Sequence, residues 1–172
     1  RFLLIGLLLN IPLISHALTY QTIVQGLPNT LQRNAMARFA AQQNTVANPS
    51  ADQAARWYAN GPQTLRLALA PFGYFTPKIT ASLRKHKTHW LATYTVSLGP
   101  VTRLTTIKLH LAGSGHNNKT LRRLTQKLPI QPGDIYNSQA YDNAKTLIFH
   151  TVTNLGFLHA NLQQSTVQVD TK

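Results

Sequence analysis

The stretch Leu65-Arg66-Leu67-Ala68-Leu69-Ala70-Pro71-Phe72-Gly73-Tyr74-Phe75-Thr76-Pro77-Lys78-Ile79-Thr80-Ala81-Ser82-Leu83 is where the chain changes its period. Leu65, Ala68, Leu69 and Phe72 recur three and four apart, which places them on one face of a helix. Gly73 stands where a helix C-terminal cap belongs. Past Pro77, the run Lys78 to Leu83 reads as a strand. A basic turn, Arg84-Lys85-His86-Lys87, joins it to a second strand, Trp90 to Leu98, so the two make a hairpin. Gly99-Pro100 ends the unit. A helix that hands over to a hairpin points to the α+β class.

Upstream, Thr19 to Gln25 alternates and is β-branched, the pattern of a strand, and Gly26 stops it. Leu27, Leu31, Ala35 and Phe39 then recur every four residues on a helix that Asn29 or Thr30 can cap. Asn48-Pro49-Ser50 is a break, and a second helical stretch starts near Asp52, with Gly61-Pro62 expected to interrupt it. The order is therefore β-α-α-β-β.

Downstream the order restarts. Arg103 to Leu111 alternates as a strand and ends at Ala112-Gly113. Asn117 or Asn118 caps a short helix with Leu121, Leu124 and Leu128 inward, and Pro129 ends it. Gln131-Pro132-Gly133-Asp134 is a turn. A longer helix runs from Ser138, with Tyr141, Ala144, Ile148, Val152 and Leu155 on one stripe and Gly156 at its end. Leu162 to Val169 reads as a strand. The punctuation repeats as well: Gly113 follows Gly26 by 87 positions (113 − 26), and Gly156 follows Gly73 by 83 (156 − 73). Near-equal offsets at two landmarks argue for a tandem repeat.

The repeated order resembles POTRA domains, and its details resemble the TamA family, the barrel subunits of the translocation and assembly module. Gly26-Leu27 followed by Leu31-Gln32-Arg33-Asn34 is similar to the start of that family's first POTRA domain. Pro71-Phe72-Gly73-Tyr74-Phe75-Thr76-Pro77 resembles its turn into the second strand, and Val96 to Gly113 its junction into the second domain. Pro132-Gly133-Asp134, then Tyr141-Asp142-x-x-Lys145, then Gly156-Phe157, resembles the second domain itself. Asp142, where the family more often has Glu, and Phe157-Leu158-His159 depart from the pattern. The expected organisation is a signal peptide over 1–17, a first POTRA domain over 18–99 and a second over 100–172 that lacks its last strand. The C-terminal barrel is expected outside this sequence, which reads as an N-terminal fragment.

The first residues carry the signal reading. Arg1 precedes an apolar run, Phe2 to Leu9, and Ser15-His16-Ala17 offers a small-x-small cleavage site. The run falls short of the roughly 20 apolar residues of a spanning helix. Export to the periplasm follows as the expected localisation. There, 17 Lys plus Arg against 4 Asp, with no Glu and a formal charge of +13, suit acidic partners or anionic lipid headgroups.

The resemblance implies a non-catalytic scaffold that recruits partner and client proteins for insertion into the outer membrane by β-strand addition. It also implies that the second strand lies at a sheet edge. The candidate docking residues are therefore Lys78, Ile79, Thr80, Ala81, Ser82 and Leu83, with Pro77 and the flanking cations guarding the edge against aggregation. Two basic surfaces accompany it: Arg84, Lys85 and Lys87 at the hairpin, and Lys119, Arg122, Arg123 and Lys127 at helical spacing opposite the leucines. The partners implied are unfolded outer-membrane clients and a TamB-like inner-membrane protein.

Composition argues against most chemistry. Zero Cys removes thiol nucleophiles and Cys-type zinc sites. Four Asp leave little for paired-carboxylate catalysis. His86 and His89 are three apart without a third ligand nearby, and Ser114 lacks the Gly-x-Ser-x-Gly elbow, so no enzyme, metal or cofactor is expected. The competing reading is a basic nucleic-acid-binding module. It needs aromatics interleaved with cations on one sheet face, and Trp90 near Lys87 is the one hint of that.

Overall fold

The computed structural model describes residues 18–43 and 48–169. The signal-peptide reading of residues 1–17 lies outside them. Strand β1 (Thr19–Gln25), helix α1 (Asn29–Gln43), helix α2 (Ala51–Leu69), strand β2 (Lys78–Lys85) and strand β3 (His89–Ser97) build the first unit in the expected β-α-α-β-β order. The sheet order is β1-β3-β2. β3, last in sequence, is the middle strand: β1 runs parallel to it from Thr19↔His89 to Gln25↔Thr95, and β2 antiparallel from Lys78↔Ser97 to Lys85↔Trp90.

Both helices cover one face of this sheet. Val24, Ala92, Tyr94 and Val96 from the strands meet Leu31, Ala35 and Phe39 of α1 and Leu65, Ala68 and Leu69 of α2 in one buried cluster. The recurrence of apolar residues every four positions in α1 is thus the buried stripe. The helix starts one position earlier than an Asn29 cap implies and two earlier than a Thr30 cap implies. Asn29 is already helical, and Gln32 N–H donates to the Pro28 carbonyl at 2.9 Å.

Helix α2 runs unbroken through Gly61-Pro62, against the sequence expectation. Proline at 62 has no N–H, so the Tyr58 carbonyl four residues earlier loses its intrahelical donor. The Tyr94 hydroxyl of β3 supplies the replacement, donating to that carbonyl at 3.0 Å. Gly61 makes the approach possible, because a Cβ there would lie 2.1 Å from the same hydroxyl. A capping box between Ser50 and Gln53 starts the helix, and Gly73, at φ +87°, stops the short 3-10 turn Ala70–Phe72 that follows it.

The second unit has helix α3 (Lys119–Leu124), extended by a 3-10 turn to Lys127, and helix α4 (Ser138–Asn154). Asn118 caps α3, accepting from Thr120 N–H at 2.9 Å, and Asn137 caps α4. Leu121, Leu124, Leu128, Ile130 and Ala144 form a second buried cluster.

Neither strand expected here forms. Within 103–111, pairing is confined to one bridge, Arg103 with Ile135, and Leu162 to Val169 pairs with nothing among the described residues. From Thr106 to Leu111 the alternation survives without the ladder. Leu104, Ile107, Leu109 and Leu111 lean on the second cluster while Arg103, Lys108 and His110 stay exposed. In the first unit both outer strands bond to β3, so an outer strand without a middle one has no ladder to join. The two units meet where Thr102 N–H donates to the Gly73 carbonyl at 2.8 Å and the Phe75 ring lies 5.4 Å from that of Tyr136.

Candidate interaction surface

β2 is an outer strand of the sheet, as expected for Lys78 to Leu83. Its alternation explains how it is held. Ile79 and Leu83 turn toward the helices and are half-buried, whereas Lys78, Thr80, Ser82 and Arg84 are exposed. A second tie comes from α2, where the Tyr58 hydroxyl donates to the Ala81 carbonyl at 3.0 Å. Pro77 is buried at the start of the strand, where its missing N–H costs no ladder bond. β1, the strand on the other flank of β3, is an outer strand too, and its sequence carries no charged residue. The sequence reading did not single it out. A parallel first strand paired only to the last is a matter of topology, which alternation alone does not encode.

The hairpin cations separate. The strand continues through Arg84 and Lys85, so the turn is His86 to His89, closed by His86 N–H on the His89 carbonyl at 2.7 Å. Arg84 lies opposite Leu91, and Lys85 opposite Trp90, so successive side chains take opposite faces. Lys85 Nζ sits 5.2 Å from the Trp90 ring centre, covering the edge of the packed face. Lys87 is exposed at the tip, beside the His86 and His89 rings stacked at 4.6 Å. Lys119, Arg122, Arg123 and Lys127 are all exposed, with Leu121, Leu124 and Leu128 buried behind them, as their spacing requires. The hairpin and α3 cations belong to different units, and nothing brings them into one site.

The aromatic residues do not make a nucleic-acid platform. Trp90 and Tyr94 alternate inward with Ala92 and Val96, and Tyr20 packs on Trp57 edge-on at 5.2 Å. The face of the sheet away from the helices presents Gln21, Ile23, Gln25, Thr80, Ser82, Arg84, Thr95 and Ser97. A base has no ring to stack on there. Burial pushes the Tyr20 and Tyr94 hydroxyls above the ordinary tyrosine range, which fits packing rather than proton transfer. Among the described residues no group of three or more His, Asp or Glu converges on a metal site. Ser114 sits in the 3-10 turn Gly113–Gly115. No helix among the described residues is long and apolar enough to cross a membrane.

Residues 21–98 match the family described as POTRA domain, TamA domain 1. No curated protein matches the chain. Among solved structures, it is similar to the third to fifth POTRA domains of Haemophilus influenzae BamA at 16% identity and a TM-score of 0.39. That likeness covers 77% of this chain and 49% of the other, so the chain spans about half the length of its structural relative.

Proposed function

We infer, from a first unit whose residues 21–98 match the TamA-type POTRA family model, that this chain is the periplasmic scaffold of an outer-membrane assembly factor. It acts by docking rather than by catalysis. The observation that carries this reading is the outer strand β2 of a POTRA sheet, which offers main-chain groups to an extended client segment. Backbone recognition suits varied unfolded barrel proteins because it asks little of client side chains. Residues 100–172 are read as the start of a second POTRA domain. The inner-membrane partner is of the TamB type, and the α3 cations suit anionic headgroups.

A photo-crosslinking residue at Ser82, on β2, tests this against one at the exposed Arg66 of α2. In cells exporting outer-membrane barrel precursors, adducts are expected from position 82 and not from 66. Equal labelling at both positions, or none at 82, would remove the edge from the proposal. Steeply salt-dependent DNA binding by the purified chain would support the competing nucleic-acid reading instead.

A further inference from the structure

The edge of β2 is closed at its centre by a side chain of the chain itself. His86 N–H on the His89 carbonyl fixes which pairs of the hairpin exchange ladder bonds. In an antiparallel ladder such pairs alternate, so Arg84, Ser82 and Thr80 bond to Leu91, Thr93 and Thr95 of β3. The main-chain groups of Lys85, Leu83, Ala81 and Ile79 therefore point away from β3, toward the edge. Among them, the Ala81 carbonyl already accepts from the Tyr58 hydroxyl of α2 at 3.0 Å. Ala81 is small and exposed between the half-buried Ile79 and Leu83, which leaves the hydroxyl room to reach its carbonyl. The backbone of Tyr58 is pinned from the other side, where its carbonyl accepts from the Tyr94 hydroxyl at 3.0 Å. Leaving the edge thus takes a rotation of the Tyr58 side chain and no movement of the helix.

The charge along this edge is one-sided. Lys78 and Arg84 are exposed on the face of β2 away from the helices, and neither forms an ion pair among the described residues. Residues 18–99 hold a single carboxylate side chain, Asp52, and it lies outside all three strands.

We propose that Tyr58 gates the β2 edge. A docking segment with carboxylates opposite Lys78 and Arg84 turns the hydroxyl out and supplies a main-chain N–H to the Ala81 carbonyl in its place. The acceptor keeps one hydrogen bond throughout, so the edge stays satisfied when empty and yields to a segment that offers a full ladder. This deepens the reading of β2 as the docking edge and rests on it.

The probe is the heptapeptide Glu-Val-Thr-Val-Thr-Val-Glu. Its carboxylates stand six positions apart, as Lys78 and Arg84 do (84 − 78), and its middle residue then falls opposite Ala81. It is titrated in excess into the 172-residue chain and into Tyr58→Phe, and hydrogen–deuterium exchange is followed at single amides. The peptide is expected to slow exchange at Ile79, Ala81, Leu83 and Lys85, the amides that face the edge. Tyr58→Phe should bind it about threefold more tightly, the weight of one neutral hydrogen bond. The same peptide with Gln at both ends should bind several-fold more weakly to either protein. With the edge amides protected, unchanged affinity in Tyr58→Phe would overturn the gate. Weaker binding would overturn it too, by making the hydroxyl part of the docking site. Equal affinity for the Gln-ended peptide would overturn the acidic class of partner. No protection of the edge amides in either protein would overturn the docking edge itself, so failure of the gate and failure of the edge are distinguishable.

Discussion

Helices α2 and α4 each stand second in a pair of helices and are buried to different depths. In α2, Ala54, Leu65, Ala68 and Leu69 are fully buried. In α4, Ala144 alone is buried and Ile148 and Val152 are partly covered, and Leu155, just past its end, is 39% exposed. Both stripes have the spacing of a core-facing helix. What differs is the sheet: α2 lies on three paired strands, α4 beside two unpaired segments. An amphipathic pattern states which face a helix can bury, and the middle strand decides whether it does.

The largest expected effect tests that strand directly. Gly26→Ala combines a left-handed backbone with a collision against the Val96 carbonyl, for a loss of about 3 kcal/mol or more. Gly113→Ala meets no atom and should cost about 1 kcal/mol. Both tryptophans, Trp57 and Trp90, belong to the first unit, so fluorescence during urea unfolding reads the first variant, and amide exchange in α3 and α4 reads the second. Equal losses would abolish the contrast between the units.

Next comes the bond across Gly61-Pro62. Tyr94→Phe leaves the Tyr58 carbonyl without a donor and should cost about 1–2 kcal/mol in the same unfolding experiment. Pro62→Ala restores a helical N–H, so Tyr94→Phe in that background should cost less. A double-mutant cycle with no coupling would reject the reading of Tyr94 as the replacement donor.

Alkali should separate the units more gently. Burial raises the Tyr94 and Tyr20 hydroxyls above their unfolded value of 10.0. Above that pH the unfolded chain releases protons that the folded first unit keeps, so stability is full below about pH 10 and falls as pH rises. Tyrosinate absorbance from these two residues should therefore appear together with loss of the tryptophan signal. Ionisation well before unfolding would contradict their burial. The smallest effect is Tyr58→Phe, which removes an exposed bond to Ala81. It should cost about 0.5 kcal/mol and speed amide exchange in β2 while leaving β1 unchanged.

Much of the first unit is legible in the sequence. β1 is read at its observed bounds and Gly73 ends the helical run, both from local signals, period and glycine. That β2 is an outer strand comes from the family resemblance, because strand order is not a local signal. Gly61-Pro62 misleads because its compensation comes from Tyr94, 32 positions away (94 − 62) and on another element. Arg84 and Lys85 read as a turn because they are charged, yet a strand at the flank of a sheet tolerates charge on either face. In the second unit, alternation over 106–111 is real in the burial pattern, but pairing requires a neighbour that alternation cannot supply. The separation of Arg84 from Lys85 likewise depends on register, which composition does not carry.

The position of β3 sets a schedule. It is central in space and last in sequence, and its pairing with β1 spans 70 positions (89 − 19). A chain emerging N-terminus first exposes β1, α1, α2 and β2 before the strand that joins them exists. Helix α2 meanwhile waits with an undonated carbonyl at Tyr58. The first unit can lock only when residues through Ser97 are out, and it then locks at once, because one strand closes two ladders, the core and the helix together. Folding of this unit is timed by its final segment, and synthesis that pauses before residue 97 should hold it open and vulnerable to proteases.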